Sequence, residues 1–359
     1  MALVAAVRLK NVLLLFLFPV LFACGSVEGN STHPWTRDLP ENPEDGSHLD
    51  FYKSGAGPFY EGWYNKVSDP ETGESFFFIY TVVNPGPNMP EPKMAFIYCG
   101  RQKTLQTVYQ EFPVEDYSAA PGYRDVRIGP DSRATAPRFA GTAMEGNKSC
   151  SWDFDVDNVV PWHETMGWMT GHTDRKTNWT VGTMRGDASG YVEFEGKRFT
   201  MKNARAYCDH NWGTVFPEQW VWLQAASFDN HDTAIALSGG LVQFAGKPLE
   251  AMMIGLLTPG KDMVTFRTQD LDDITWDASK GKWSISASRS TARLSVQASC
   301  EPRSMFHLLV PADQGMIPRA WEALEGFVDV LFETRGSAGD EWKEEFRGTS
   351  NLAGVEIGE

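Results

Sequence analysis

Positive charge is in short supply. Lysine and arginine number 32 against 47 aspartates and glutamates, a formal net charge of -15. Such a surface repels phosphate backbones and anionic headgroups, so nucleic-acid binding and electrostatic docking on anionic lipid are excluded. Apolar runs are short as well. The stretch Val12 to Ala23 contains Pro19 and falls below the roughly 20 residues that a helical span needs. No G-x-S-x-G elbow is present, because Gly186-Asp187-Ala188-Ser189-Gly190 has the wrong spacing. No glycine-rich loop precedes a helix, so nothing supports a phosphate cradle. Cys208 and His210 would share one face of an extended strand, yet no second ligand pair at metal spacing accompanies them. Neither a metal nor another cofactor is expected. Asp153, Asp155 and Asp157 alternate with Trp152, Phe154 and Val156, which describes a half-exposed strand and not a calcium loop. Neither a βαβ rhythm nor a repeat of fixed period is visible.

What the chain does hold is aromatic surface and many short strands. Thirteen tryptophans in 359 residues suit a pocket for something apolar and partly unsaturated. Arg8 and Lys10 ahead of the Val12–Ala23 run, with small residues at Ala23, Gly25 and Ser26, give residues 1–26 the form of a targeting or signal segment. The expected destination is the secretory pathway, an envelope compartment, or a plastid reached through an ER-type route. Residues 27–47 read as a polar arm. Loss of Cys24 with the leader would leave Cys99, Cys150, Cys208 and Cys300, enough for two disulfides, with three connectivities open. A disulfide is the expected state of Cys208.

From Phe59 onward, aromatic or β-branched runs are broken by Gly, Pro, Asn and Asp, as in antiparallel sheets. Hairpin turns are expected at Glu195-Gly196-Lys197 and Lys280-Gly281. Residues 113–150 read as a loose surface insertion. One helix is expected over 316–325, where Pro318 suits a first turn and Trp321 and Leu324 share a face. The fold class is therefore all-β: an antiparallel, lipocalin-like barrel or two barrel-like halves, 48–203 and 204–359, with at most a few short helices.

The stretch Tyr207 to Gln224 concentrates the polar and aromatic groups. From Gln219 it alternates, with Trp220, Trp222 and Gln224 on one side and Val221 and Leu223 on the other. The part before it, with Asn211, Gly213 and Pro217, reads as irregular. This stretch, together with Phe59-Tyr60-Glu61-Gly62-Trp63-Tyr64-Asn65-Lys66-Val67, the following Phe76-Phe77-Phe78, and the closing Ala353-Gly354-Val355-Glu356-Ile357-Gly358, resembles the tocopherol cyclase family of plants and cyanobacteria. His48 stands where that family has a histidine ahead of Glu-Gly-Trp-Tyr. Asp209 and His210 replace the family's glutamate and lysine, and residues 113–175 match poorly.

The resemblance implies an intramolecular cyclase. A prenylated hydroquinone is protonated at its alkene, and the phenol oxygen captures the cation to close a chromanol ring, without redox or metal chemistry. Such a reaction needs a carboxylic acid kept protonated among apolar groups, aromatic faces for the cation, and exclusion of water. Asp209 and Glu61, with Tyr64 beside the latter, form the expected catalytic set, Asp209 being the expected proton donor. His48, Trp63, Tyr207, Asn211, Trp212, Trp220, Trp222 and Gln224 are the expected substrate-binding set. The expected partner is a small apolar prenylated hydroquinone, with peripheral membrane contact as a route of access. A lipocalin-like carrier or sensor of an apolar isoprenoid is the alternative, and it would need no acid in its cavity.

Overall fold

The computed structural model describes residues 43–359 except 53–54, 170–175, 230–231, 245, 261–262 and 313–314. The expected targeting segment and most of the expected arm lie outside the described residues. Among the described residues helix is confined to one short α-helix, Leu49–Tyr52, and isolated 3₁₀ turns, and all strand pairing is antiparallel.

The first sheet contains β1 (Tyr60–Asp69), β2 (Glu74–Val83), β3 (Met94–Arg101), β4 (Gln106–Phe112), β5 (Tyr117–Ala119), β6 (Asp125–Ile128), β7 (Ser132–Thr135), β8 (Arg138–Glu145), β9 (Lys148–Trp162), β10 (Thr177–Phe194) and β11 (Lys197–Gly213). The second contains β12 (Gln219–Ala225), β13 (Ala234–Phe244), β14 (Lys247–Leu257), β15 (Val264–Arg267), β16 (Asp273–Ser279), β17 (Lys282–Arg289), β18 (Ala292–Ser299), β19 (Phe306–Ala312), β20 (Gly315–Thr334) and β21 (Lys343–Gly358). Both sheets wind in the same way. Four strands step outward, the chain crosses to the far end, and later strands step back until the last pairs with the first: β11 with β1, and β21 with β12; in the second sheet β19 lies off this path, paired with β20. The change of sheet falls in residues 214–218, so the expected join at 203–204 lies inside β11.

Each sheet curls around its own apolar core. Phe76, Phe78, Trp152 and Phe154 fill the first, which is nearly closed; Leu223, Leu237, Ile254, Trp283 and Val328 fill the second. A third core, with Tyr64, Phe77, Trp179, Trp220 and Trp222, lies between the sheets. Strands β1 and β2 thus bury both faces, which explains the unbroken run Phe76-Phe77-Phe78: the outer two rings point into the first core and the middle one into the interface. The turn Glu195-Gly196 has both residues at positive φ, 51° and 73°, as a two-residue hairpin requires.

Three expectations are corrected. Residues 316–325 form part of β20, not a helix. Pairing with β19 and β21 outweighs the helix-favouring Ala, Glu and Leu, and Pro318 sits beside a register shift, where a missing N–H is tolerated. Residues 113–150 are not a loose insertion but build β5 to β8 and complete the first sheet. Among the described residues the cysteines form one disulfide, Cys99–Cys150, whereas Cys208 and Cys300 are free. Cys208 is buried on the inner side of β11 beside Arg124, with no cysteine to reach. The bridge joins β3 to β9 across the curled sheet, over a separation of 51 residues. The Cys99→Ala/Cys150→Ala protein is expected to lose about 2–5 kcal/mol, measured as a shift in the urea midpoint.

Candidate active site

Strand parity sorts the expected site residues into two groups on opposite faces of β1 and β11. On β1, Tyr60, Gly62 and Tyr64 face the second sheet, while Glu61 and Trp63 face inward. On β11, Asp209 and Asn211 face the second sheet, while Cys208, His210 and Trp212 face inward. Of the part before Gln219 read as irregular, residues 214–218 lie outside any strand, but the chain up to Gly213 is regular strand, and it is this regularity that separates the two groups.

The inward group holds the end of the arm. Glu61 is fully buried and accepts hydrogen bonds from the Ser47 hydroxyl (2.7 Å), the His48 backbone N–H (2.6 Å), the Tyr117 hydroxyl (3.0 Å) and His210 Nε2 (3.2 Å). Burial would push its pKa up, but the bond and charge of His210, with the His48 and Ser47 donors, hold it below the usual value. The rings of Trp63, His210, Trp212 and His48 stack in sequence, at 4.4, 4.7 and 3.7 Å between centroids. The Trp63 indole also donates to the Asp45 carbonyl (3.0 Å). Asp45 in turn pairs with buried Arg124 at 3.3 Å. Hence Glu61, His48, Trp63 and Trp212 lie outside the cavity described next, and the arm is what they touch. Glu61→Ala would strand several buried donors at once. It is expected to cost about 3 kcal/mol or more, seen as a lowered urea midpoint and faster proteolysis within residues 43–52.

The other group lines a cavity of about 150 Å³ between the two sheets. Tyr64 and Asp209, cross-strand partners on β1 and β11, form one wall with Tyr60, Asn211 and Trp179. Facing them, Trp222, Glu356 and Glu322 stand side by side across β12, β21 and β20, each opposite the next in register. Trp220, Met253, Leu308 and Val310 complete an apolar surround. The rings of Trp220 and Trp222 lie flat on β21 because Gly358 and Gly354 carry no side chain. An added Cβ would come within 2.2 Å and 2.7 Å of those rings. Tyr207 is buried just behind the wall and bonds Asp209, whereas Gln224 is buried away from the cavity.

Two bonds cross between the walls: the Tyr64 hydroxyl donates to Glu322 Oε1, and the Trp222 indole donates to Asp209 Oδ2 (2.8 Å). Asp209 Oδ2 also accepts from the Trp179 indole (2.9 Å) and the Tyr207 hydroxyl (3.0 Å). Desolvation raises the Asp209 pKa to about 6 despite these donors. Glu356, bonded by the Trp220 indole, is raised to about 7 by burial and by the charge of Asp209. Burial and the facing Glu356 raise Glu322 well above the ordinary carboxylate range. Arg205, four residues before Asp209 on the same strand, pairs with Asp187.

Glu322, Glu356 and Trp179 were not among the residues expected from sequence. Glu356 stands inside the closing Val-Glu-Ile-Gly run, an acid between apolar residues on a two-sided strand, and that pattern marks it. Glu322 was hidden by the helix-like reading of its surroundings.

Comparison with known proteins agrees with this architecture. The model of the family described as "Tocopherol cyclase-like" matches residues 57–125 and 123–359. A chloroplastic relative from Oryza sativa subsp. japonica, named "Probable tocopherol cyclase", is 24% identical over 383 residues, covering 90% of this chain and 80% of the relative. The chloroplastic tocopherol cyclase of Zea mays is 22% identical over 382 residues, covering 90% and 79%. Among solved structures, a Nitrosomonas europaea protein described as an AttH superposes with a TM-score of 0.52 at 11% identity, covering 91% of this chain and 99% of the other. Kievitone hydratase from Nectria haematococca superposes with a TM-score of 0.50 at 10% identity, covering 89% and 92%. These two share the fold. Sequence, cavity-lining motifs and family match converge, and the chain belongs to the tocopherol cyclase-like family.

Proposed function

We propose that the protein closes a chromanol ring on a prenylated hydroquinone, an isomerisation in which the alkene gains a proton and the ring oxygen loses one. The observation that carries this reading is the set of three carboxyls, Asp209, Glu322 and Glu356, on the wall of one apolar cavity. Burying an acid in such a place costs stability, and a carrier has no use for it; a cyclase must have it. Trp179, Trp220, Trp222 and Tyr64 offer aromatic faces to a tertiary cation, each contributing on the order of 0.5–2 kcal/mol. The cavity lies between packed sheets, which limits water that would quench the cation to an alcohol. Asp209 belongs to the proton-transfer set, and Asn211 and Tyr60, which line the same wall, would hydrogen-bond the hydroquinone oxygens. The relatives named tocopherol cyclase support the same substrate class. The apolar tail is expected to be drawn from a lipid phase by peripheral contact, and the N-terminal segment to direct export or organelle entry.

The test is incubation of purified protein with monomethyl and dimethyl phytyl hydroquinones under reducing conditions, followed by chromatography for chromanols. Formation of chromanol supports the reading. Tight binding without any conversion would support a carrier.

A further inference from the structure

Three carboxyls on one cavity have two tasks to divide: giving a proton to the alkene and taking one from the ring oxygen. Hydrogen bonding distinguishes them. Asp209 gathers three donors on Oδ2, from Trp179, Tyr207 and Trp222. Donors converging on a carboxylate favour its ionised form. Oδ1 is then the oxygen left to accept a proton. Glu356 likewise accepts an indole N–H, from Trp220. Glu322 differs. Among the described residues it accepts only the Tyr64 hydroxyl, on Oε1, while its Oε2 is buried without a partner. A bare carboxylate oxygen buried in an apolar wall is costly, a neutral carboxylic acid there costs less, and Glu322 lines the cavity. Glu322 also stands directly opposite Glu356 on the neighbouring strand, where two like charges oppose each other. The titratable groups facing it are Tyr64 and Lys66 from β1, Tyr98 from β3, Asp209 from β11 and Glu356 from β21. Of these the Tyr64 hydroxyl bond and the Lys66 charge favour an ionised Glu322, but that is one donor against the three on Asp209, and Lys66 is itself buried, with its Nζ bonded to the Leu352 carbonyl at 2.7 Å.

Resting on the cyclase reading above, we propose that Glu322 is the proton donor to the alkene and that Asp209 is the acceptor of the ring-oxygen proton. This reverses the role expected of Asp209 from its motif. In the first step the Glu322 Oε2–H bond breaks, and its proton forms a C–H bond at the less substituted alkene carbon, leaving a tertiary cation. A lone pair of the ring oxygen then forms the C–O bond. The O–H electrons remain on that oxygen as its proton passes to Asp209 Oδ1. The substrate is isomerised, no electrons enter or leave, and proton exchange with solvent between turnovers restores both acids.

The experiment follows deuterium. In heavy water the wild type is expected to give chromanol carrying one solvent deuterium at the former alkene. Glu322→Gln should lose alkene deuteration by on the order of 10²-fold or more, in every product. Asp209→Asn should keep alkene deuteration within roughly tenfold, but divert product from chromanol to tertiary alcohol and rearranged alkene. Loss of alkene deuteration in Asp209→Asn, or its survival in Glu322→Gln, overturns the assignment. Infrared difference spectra give a second readout that needs no turnover. At about pH 8.5, above the values of Asp209 and Glu356, the carboxylic-acid C=O stretch should largely disappear in Glu322→Gln and persist in Asp209→Asn; the opposite pattern also overturns it. If Glu322→Gln does not fold, the Asp209→Asn/Glu356→Gln protein, with Glu322 as the last of the three cavity acids, must keep both the band and the deuteration. A wild type inert toward every prenylated hydroquinone would remove the cyclase reading itself, and the infrared result would show separately whether Glu322 holds the proton.

Discussion

Asp209→Asn is expected to lower chromanol formation by on the order of 10²–10⁴-fold while leaving the protein folded. The fold should survive because the donors to Asp209 are neutral: two indole N–H groups and a phenol, all of which an asparagine oxygen can accept. No salt bridge is lost, since Arg205 pairs with Asp187, and His210 lies on the opposite face of β11, bonded to Glu61. If Asp209 only braced Trp179, Tyr207 and Trp222, the same change would cost roughly 1–3 kcal/mol and the folded fraction would turn over normally. Thermal melting and single-turnover cyclisation on one preparation separate the two cases. Full turnover in a stable Asp209→Asn protein would remove Asp209 from the chemistry and leave Glu322 and Glu356 to perform it. Glu61 could not substitute, because it points away from the cavity and is saturated with donors from the arm and its neighbours.

Much of this was legible from residue patterns, and the failures have physical causes. The alternation Trp220, Trp222 against Val221, Leu223 gave the correct faces, because β12 is a straight strand between two different cores. The same parity rule would have divided Glu61, Trp63 and Trp212 from Tyr64, Asp209 and Asn211. It was not applied because Asn211, Gly213 and Pro217 suggested a turn, whereas β11 runs unbroken to Gly213. Two aromatic-rich motifs therefore looked like one pocket, although they line two sides of the same pair of strands. The second wall could not be read from local sequence at all. Glu322 faces Asp209 only because β20 and β21 pack against β1 and β11, a long-range placement that no spacing encodes. The cysteines show a similar limit: four were available, and only the curl of the first sheet brings Cys99 to Cys150 and leaves Cys208 without a partner.

The cavity acids should also be visible in stability, through Glu356→Gln. Glu356 has an ordinary value of 4.5 and is raised to about 7 in the folded protein. At pH values below 4.5 it holds its proton in both states, so the parent and the variant should differ little in their response to pH. As pH rises, the unfolded chain releases this proton first, while the folded protein retains it up to about 7. The parent therefore loses stability across that interval and the neutral glutamine does not. The expected gain of Glu356→Gln over the parent is about 3 kcal/mol between pH 4 and pH 8, at about 1.4 kcal/mol per pKa unit. Taking the difference between two proteins cancels His48, lowered to about 4 by burial and the neighbouring His210, and Lys66, lowered to about 7 by burial, both of which bend the parent curve on their own. Urea midpoints for both proteins at half-unit steps of pH would supply the curve. A difference that stays flat from pH 4 to pH 8 would mean that Glu356 ionises as freely in the fold as in the unfolded chain. In that case the wall of β20 and β21 would not be the dry acidic surface that alkene protonation requires.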